Sequence, residues 1–66
     1  MTEPSIADLV ECAKRELALR QRVYPKWVES GRLDARKADH EVECMQHIVS
    51  RLEKIRDEEA GQPSLF

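Results

Sequence analysis

His40, Cys44 and His47 stand at i, i+4 and i+7, so on a helix all three project from one face. Imidazole and thiolate are ligands that zinc favours, and Cys12 or a second chain could complete a tetrahedron around such an ion. Structural zinc sites, however, draw their ligand pairs from different elements, because the metal's role is to fix one element against another. Three groups on one outward helix face read instead as a polar surface that holds two histidines, and no metal or cofactor is expected. Catalysis has less support. The chain has no Ser/His/acid order, no glycine-rich phosphate loop and no carboxylate pair in a foreseeable cleft. A convex helix face does not exclude water and forms no pocket. Glu41 and Glu43, beside His40, read as solvated charges. A non-enzymatic protein is expected.

The elements that carry these residues follow from the spacing of apolar side chains. Ser5-Ile6-Ala7-Asp8 fits a capping-box variant that opens a helix at Ser5. Ile6, Leu9, Val10, Ala13, Leu17, Tyr24, Trp27 and Val28 then recur at three- and four-residue intervals, which is one stripe of an amphipathic helix. Arg20 interrupts the stripe, and Cys12, Leu19 and Val23 widen it on one side. Residues 11–22 are mostly strong helix formers. Pro25 is the one breaker: it removes the bond to the Gln21 carbonyl and crowds Tyr24. Because Trp27 and Val28 keep the phase, a kink is expected there rather than a second short helix. Ser30-Gly31 stops the segment, with Gly31 suited to the left-handed C′ position.

A second helix is expected from Asp34, an N-cap residue preceded by Leu33 at the staple position. Ala35, Ala38, Val42, Met45, Val49 and Leu52 form its seam, flanked by Ile48 and Ile55. The pattern decays after Ile55, and Gly61 is expected to end the helix. The fold class is therefore all-α: two long antiparallel amphipathic helices in a hairpin, spanning residues 1–60, with a flexible C-terminal tail at 61–66. Two helices bury only the faces they show each other. Leu17, Tyr24, Trp27, Val42, Met45, Val49 and Leu52 are the candidate core and dimer residues. Tyr24 and Trp27, with Leu19, Val23, Ile48 and Ile55, would stay partly exposed in one chain, which predicts a homodimer, most simply a four-helix bundle.

Net charge is −2 over 66 residues, but eight of the eleven Lys and Arg fall within residues 14–37. Lys26, Arg32, Arg36 and Lys37 gather near the hairpin tip, with Tyr24 and Trp27 nearby, a pattern that nucleic-acid binders use. The aromatics fall on the apolar stripe, however, and net acidity opposes non-specific attraction to DNA, so direct nucleic-acid binding is not the favoured reading. The acidic N-terminal residues do not read as a signal peptide, and no apolar run is long enough to span a membrane. Two cysteines are too few for a disulfide framework, which predicts free thiols in a reducing cytoplasm.

The residues Gln62-Pro63-Ser64-Leu65-Phe66 place two large apolar side chains beyond the helical pattern. An exposed Leu-Phe pair needs something to pack against. The pattern Gln-x-Ser-Leu-Phe resembles the peptide by which bacterial replication and repair proteins bind the DNA polymerase sliding clamp. That peptide has Gln, Leu, Ser or Asp, Leu and Phe in its most typical form. Four of five positions match, and Pro63 stands where Leu is commonest. The resemblance implies a docking peptide at 62–66 and the bacterial sliding clamp as partner. A packing of Leu65 and Phe66 back onto the helices is the alternative. The body, in Arg22-Val23-Tyr24-Pro25-Lys26-Trp27-Val28 and then Lys37-Ala38-Asp39 ahead of a heptad helix, resembles small bacteriophage and prophage proteins of no known activity. That resemblance covers about half the chain and implies a bacterial or phage-infected bacterial cytoplasm. A helical adaptor with no clamp role, and a DNA-contacting accessory protein using the basic tip, are the alternative functions.

Overall fold

A computed structural model describes residues 2–61 of the chain. Two helices form, α1 over Ile6–Glu29 and α2 over Ala35–Gly61, and no strand occurs among the described residues. The architecture is the all-α helical hairpin that the two apolar stripes predict. Gln62, Pro63, Ser64, Leu65 and Phe66, the expected docking peptide, lie outside the described residues.

Each helix boundary has a local cause. At the start of α1 the Ser5 hydroxyl accepts from the Asp8 N–H at 3.1 Å, and the Asp8 carboxylate accepts from the Ser5 N–H at 3.1 Å. This capping box satisfies two donors that the first helical turn would otherwise leave unpaired, and such a cap stabilises by about 1 kcal/mol. At the other end Gly31 adopts φ +81°. Its N–H donates to the Val28 carbonyl at 3.1 Å, and the Arg32 N–H donates to the Trp27 carbonyl at 2.8 Å. The two bonds define a Schellman motif with Ser30 as C-cap. The Ser30 hydroxyl adds a third donor to this end, 3.1 Å from the Trp27 carbonyl. One Asp34 carboxylate oxygen then accepts from the Arg36 and Lys37 N–H groups at 3.1 and 3.2 Å, opening α2.

Pro25 lies inside a continuous helix of 24 residues; no separate helix starts there. The Tyr24 and Trp27 rings, which flank the proline, stack with centroids 5.6 Å apart and planes at 29°. That contact bridges the turn that lacks a backbone bond. At the far end α2 runs through Gly61, further than the decay after Ile55 suggests. Asp57, Glu58, Glu59 and Ala60 carry the helix past the last apolar seam residue, since Ala and Glu are good helix formers. Gly61 is the last turn's residue rather than a stop before it.

The core lies along the seam between the helices. Val10 and Ala13 of α1 and Ala38, Met45 and Val49 of α2 are buried. Leu17 and Leu52 pack, half-buried, against the group formed by Ala13, Met45 and Val49. Two expectations are corrected. Ala35 is exposed, because it projects at the angle of Glu53, eighteen residues on, at the edge of the seam, where it lines an open groove with Pro25 and Val28 of α1. Leu9 lies on the α1 stripe yet stays 43% exposed, since a single neighbouring helix covers only part of a stripe that wide; Trp27, at 40%, is partly exposed as expected of one chain.

The turn and the proline each make a prediction. No atom lies within 4 Å of a Cβ built on Gly31, so Gly31→Ala meets only its unfavourable positive φ. It is expected to lower unfolding free energy by about 1 kcal/mol, and Gly31→Asn by less, in urea titrations at one protein concentration. Pro25→Ala restores a backbone donor within α1 and is expected to raise the thermal midpoint; a lower midpoint would mean that the helix depends on the proline.

Candidate functional site

The His40–Cys44–His47 face is only partly assembled. Cys44 Sγ lies 3.5 Å from His40 Nε2, one helical turn away. His47 turns to its own neighbour instead, with Nε2 3.9 Å from Glu43 Oε2. The three groups share a shallow, open depression with Glu43, Ile48 and Arg51. Cys12 is not part of it, since its surroundings are Arg15, Glu16, Ala18, Leu19 and Arg22 of α1. Among the described residues no three His, Cys, Asp or Glu side chains converge on a point where an ion could sit. Both cysteines are exposed free thiols.

A charged cluster of higher order joins the helices elsewhere. Arg20 Nε donates to Glu16 Oε2 at 2.9 Å along α1, and its Nη1 reaches Glu41 Oε1 of α2 at 3.5 Å. Arg20 is the least exposed of the three side chains, at 24%. The hydrogen bond to Glu16 is the main cause that holds the guanidinium above its ordinary pKa, against the opposing effect of desolvation. Sequence spacing shows the Glu16–Arg20 pair at i, i+4. It does not show that Glu41, read there as a solvated charge, is half-buried and bridges to α1. The missing signal is the register of the two helices, which no local pattern carries. Lys14 and Glu53 make a second bridge between helices at 3.0 Å.

At the hairpin tip Lys26, Arg32, Arg36 and Lys37 are all exposed. None of the four is in an ion pair among the described residues. An open groove of ≈ 680 Å³ runs beside the tip, with Tyr24, Pro25, Val28, Ala38 and Val42 as its apolar wall and Arg20, Asp39 and Gln46 among its polar groups. It is a surface depression between two helices, and Glu43 and His47 of α2 also line it. The remaining large feature is apolar exposure: Leu9, Leu19, Trp27, Ile48 and Ile55 are each 40–46% exposed. No helix among the described residues is long and apolar enough to cross a membrane.

Compared with known proteins, the chain matches no family model, no curated protein and no solved structure at a significant level.

The geometry ranks the two partners of Arg20. Arg20→Leu removes both bonds and leaves Glu16 and Glu41 near each other, and it is expected to cost about 1–2 kcal/mol of unfolding free energy. Glu41→Gln should cost less than half as much, because a 3.5 Å contact is at the limit of a hydrogen bond. Equal losses in parallel urea titrations would reverse that ranking.

Proposed function

We propose that this chain is a non-enzymatic interaction protein that docks on the bacterial DNA polymerase sliding clamp through Gln62, Pro63, Ser64, Leu65 and Phe66, and that it works as a homodimer in the cytoplasm of a bacterial or phage-infected cell. The observation that carries the reading is the sequence Gln-Pro-Ser-Leu-Phe, set directly after a helix whose last residue is Gly61. Leu65 and Phe66 would fill an apolar pocket on the clamp, and the Gln62 amide would bond to polar groups at its rim. Such a peptide binds extended. Pro63 favours this, because it fixes its own φ and pushes Gln62 out of the helical region, so less chain entropy is lost on docking.

Magnitudes limit the affinity of one peptide. Burying a Leu and a Phe contributes roughly 3–6 kcal/mol. After the cost of association one tail binds at about micromolar strength or weaker. A homodimer carries two such peptides, and a clamp with a repeated pocket would hold both more tightly if the span between them allows. If the chain is phage-borne, occupying that pocket would either deny it to host polymerase or bring the clamp to phage replication.

A second reading rests on a separate observation, the four exposed cations at the hairpin tip that are free of ion pairs among the described residues. That cluster fits an accessory protein that contacts DNA phosphates. A small structural or regulatory adaptor needs neither surface.

Replacing Leu65 and Phe66 together with Ala is expected to abolish binding to purified clamp and to leave the helical circular dichroism unchanged. Replacing Arg36 and Lys37 with Gln should alter clamp binding little. Clamp binding that survives the first change, or an intact chain that fails to bind at tens of micromolar clamp, would sink this reading. A salt-sensitive shift of labelled DNA that disappears with the second change would favour the accessory-protein reading.

A further inference from the structure

The two ion pairs between the helices locate the flanks of the hairpin. Lys14 and Arg20 are six residues apart on α1, and Glu41 and Glu53 are twelve apart on α2. At 100° per residue each pair of positions is about 120° apart round its helix. The Lys14–Glu53 bridge therefore lies on one flank of the seam and the Arg20–Glu41 bridge on the other. The same arithmetic assigns the exposed apolar residues. Leu9 and Trp27 are eighteen residues apart, five full turns, so they project at one angle. Arg20 is within about 20° of that angle. Ile48 and Ile55 follow Glu41 by seven and fourteen residues, so they share its side to within about 40°.

Leu9, Trp27, Ile48 and Ile55 thus form one face together with the Arg20–Glu41 bridge. All four are 40–46% exposed. Leu19 is the exception among the large exposed apolar residues, about a quarter turn further round α1. The opposite face, around Lys14–Glu53, presents Gln21, Ala35 and Gln46 beside the groove walled by Pro25, Val28 and Val42, and among the described residues no large apolar side chain there is as exposed as Leu9, Trp27, Ile48 and Ile55. The two flat sides of this thin layer, 13 Å across its least Cα dimension, are chemically unequal.

We infer that the Leu9–Trp27–Ile48–Ile55 face is the surface on which a second copy of this chain packs. The inference rests on the homodimer proposed above and gives it a specific interface. A two-fold pairing lays a patch on itself, so the patch has to be apolar and close to neutral. This one is both. Glu16, Glu41 and Glu59, the last five full turns after Glu41, contribute three negative charges. Arg20, Arg51 between the two isoleucines, and Lys37 one turn before Glu41 contribute three positive ones. An interface of standard size covers roughly 800 Å² a side, which is about 15% of the chain's 5322 Å², so one flat face is enough. The Glu16–Arg20–Glu41 cluster is already hydrogen-bonded within each chain. Its two carboxylates share one guanidinium, and Lys37, one turn from Glu41, offsets the remaining negative charge on this face.

Sedimentation equilibrium and the emission of Trp27, the single tryptophan, test this together. The intact chain should show a mass near twice 7.7 kDa at tens of micromolar, and Trp27 emission should move to longer wavelength as dilution yields the monomer. Ile48→Glu is expected to weaken association about a hundredfold, whereas Ser50→Glu, on the outer side of α2, should leave it unchanged. A chain that is monomeric throughout overturns both the homodimer and this face. A dimer that persists in Ile48→Glu, or one whose dissociation leaves Trp27 emission unmoved, overturns this face while keeping the homodimer. The emission measurement needs no substitution, so it decides the matter even if Ile48→Glu does not fold. Clamp binding is read separately through Leu65 and Phe66, so its failure is not confused with either result.

Discussion

Everything in this molecule depends on a single seam. Two helices side by side can each bury one stripe, and among the described residues only Val10, Ala13, Ala38, Met45 and Val49 are buried. Burying side chains of this class contributes about 1.5–3 kcal/mol apiece for the larger ones and less for alanine. Ordering some sixty residues opposes that with a conformational entropy far larger than any one contact. The small residues in the seam matter because they let the helices approach closely enough for Met45 and Val49 to meet Ala13. A larger side chain at Ala13 or Ala38 would separate the helices and expose the rest.

The seam is useful only if the turn returns α2 in the right register, and five residues achieve this. Gly31 takes a backbone angle that would strain any other residue, and the Trp27 carbonyl receives the Arg32 and Leu33 N–H groups at 2.8 and 3.2 Å. Asp34 immediately reopens a helix. With the turn fixed at residues 30–34, Arg20 is carried opposite Glu41 and Lys14 opposite Glu53. Each bridge is partly exposed and contributes little on its own. Their value lies in direction, since one marks each flank, and a rotation of either helix about its axis would break both.

Most of this was legible in the sequence, and the failures share a cause. Ser5, Gly31 and Asp34 act within a turn of themselves, so their residue types state their roles. The apolar spacing states which side of each helix faces inward. It overstates how much of that side is covered: Leu9 belongs to the stripe by phase but stands at its edge, beyond the reach of one partner helix. Ala35 fits the seam by spacing and misses it by angle, turned to the Lys14–Glu53 flank, where it lines an open groove. Glu41 looks like surface in its own helix and becomes a contact only through α1. The three chemical candidates divide in the same way. His40 and Cys44, one turn apart, do meet, while His47, three residues past Cys44, is drawn off by Glu43. Gln62 to Phe66 are legible as a motif alone.

The body and the peptide of the proposed reading use the same force in opposite ways. In the body, apolar residues are spread along two rigid helices, so each contact is weak alone and the face is effective only when many meet at once. In Gln62-Pro63-Ser64-Leu65-Phe66 two large side chains are adjacent, so a single pocket captures most of the available energy. A body that pairs through Leu9, Trp27, Ile48 and Ile55 would present two peptides for every assembled unit. The second docking event would then be intramolecular, with an effective concentration set by the span between the tails. Mutating the face would weaken docking without touching the peptide, and mutating the peptide would leave the dimer whole. A rigid helical hairpin is suited to that division, because the same α2 that carries Ile48 and Ile55 in the face ends at the residue before Gln62.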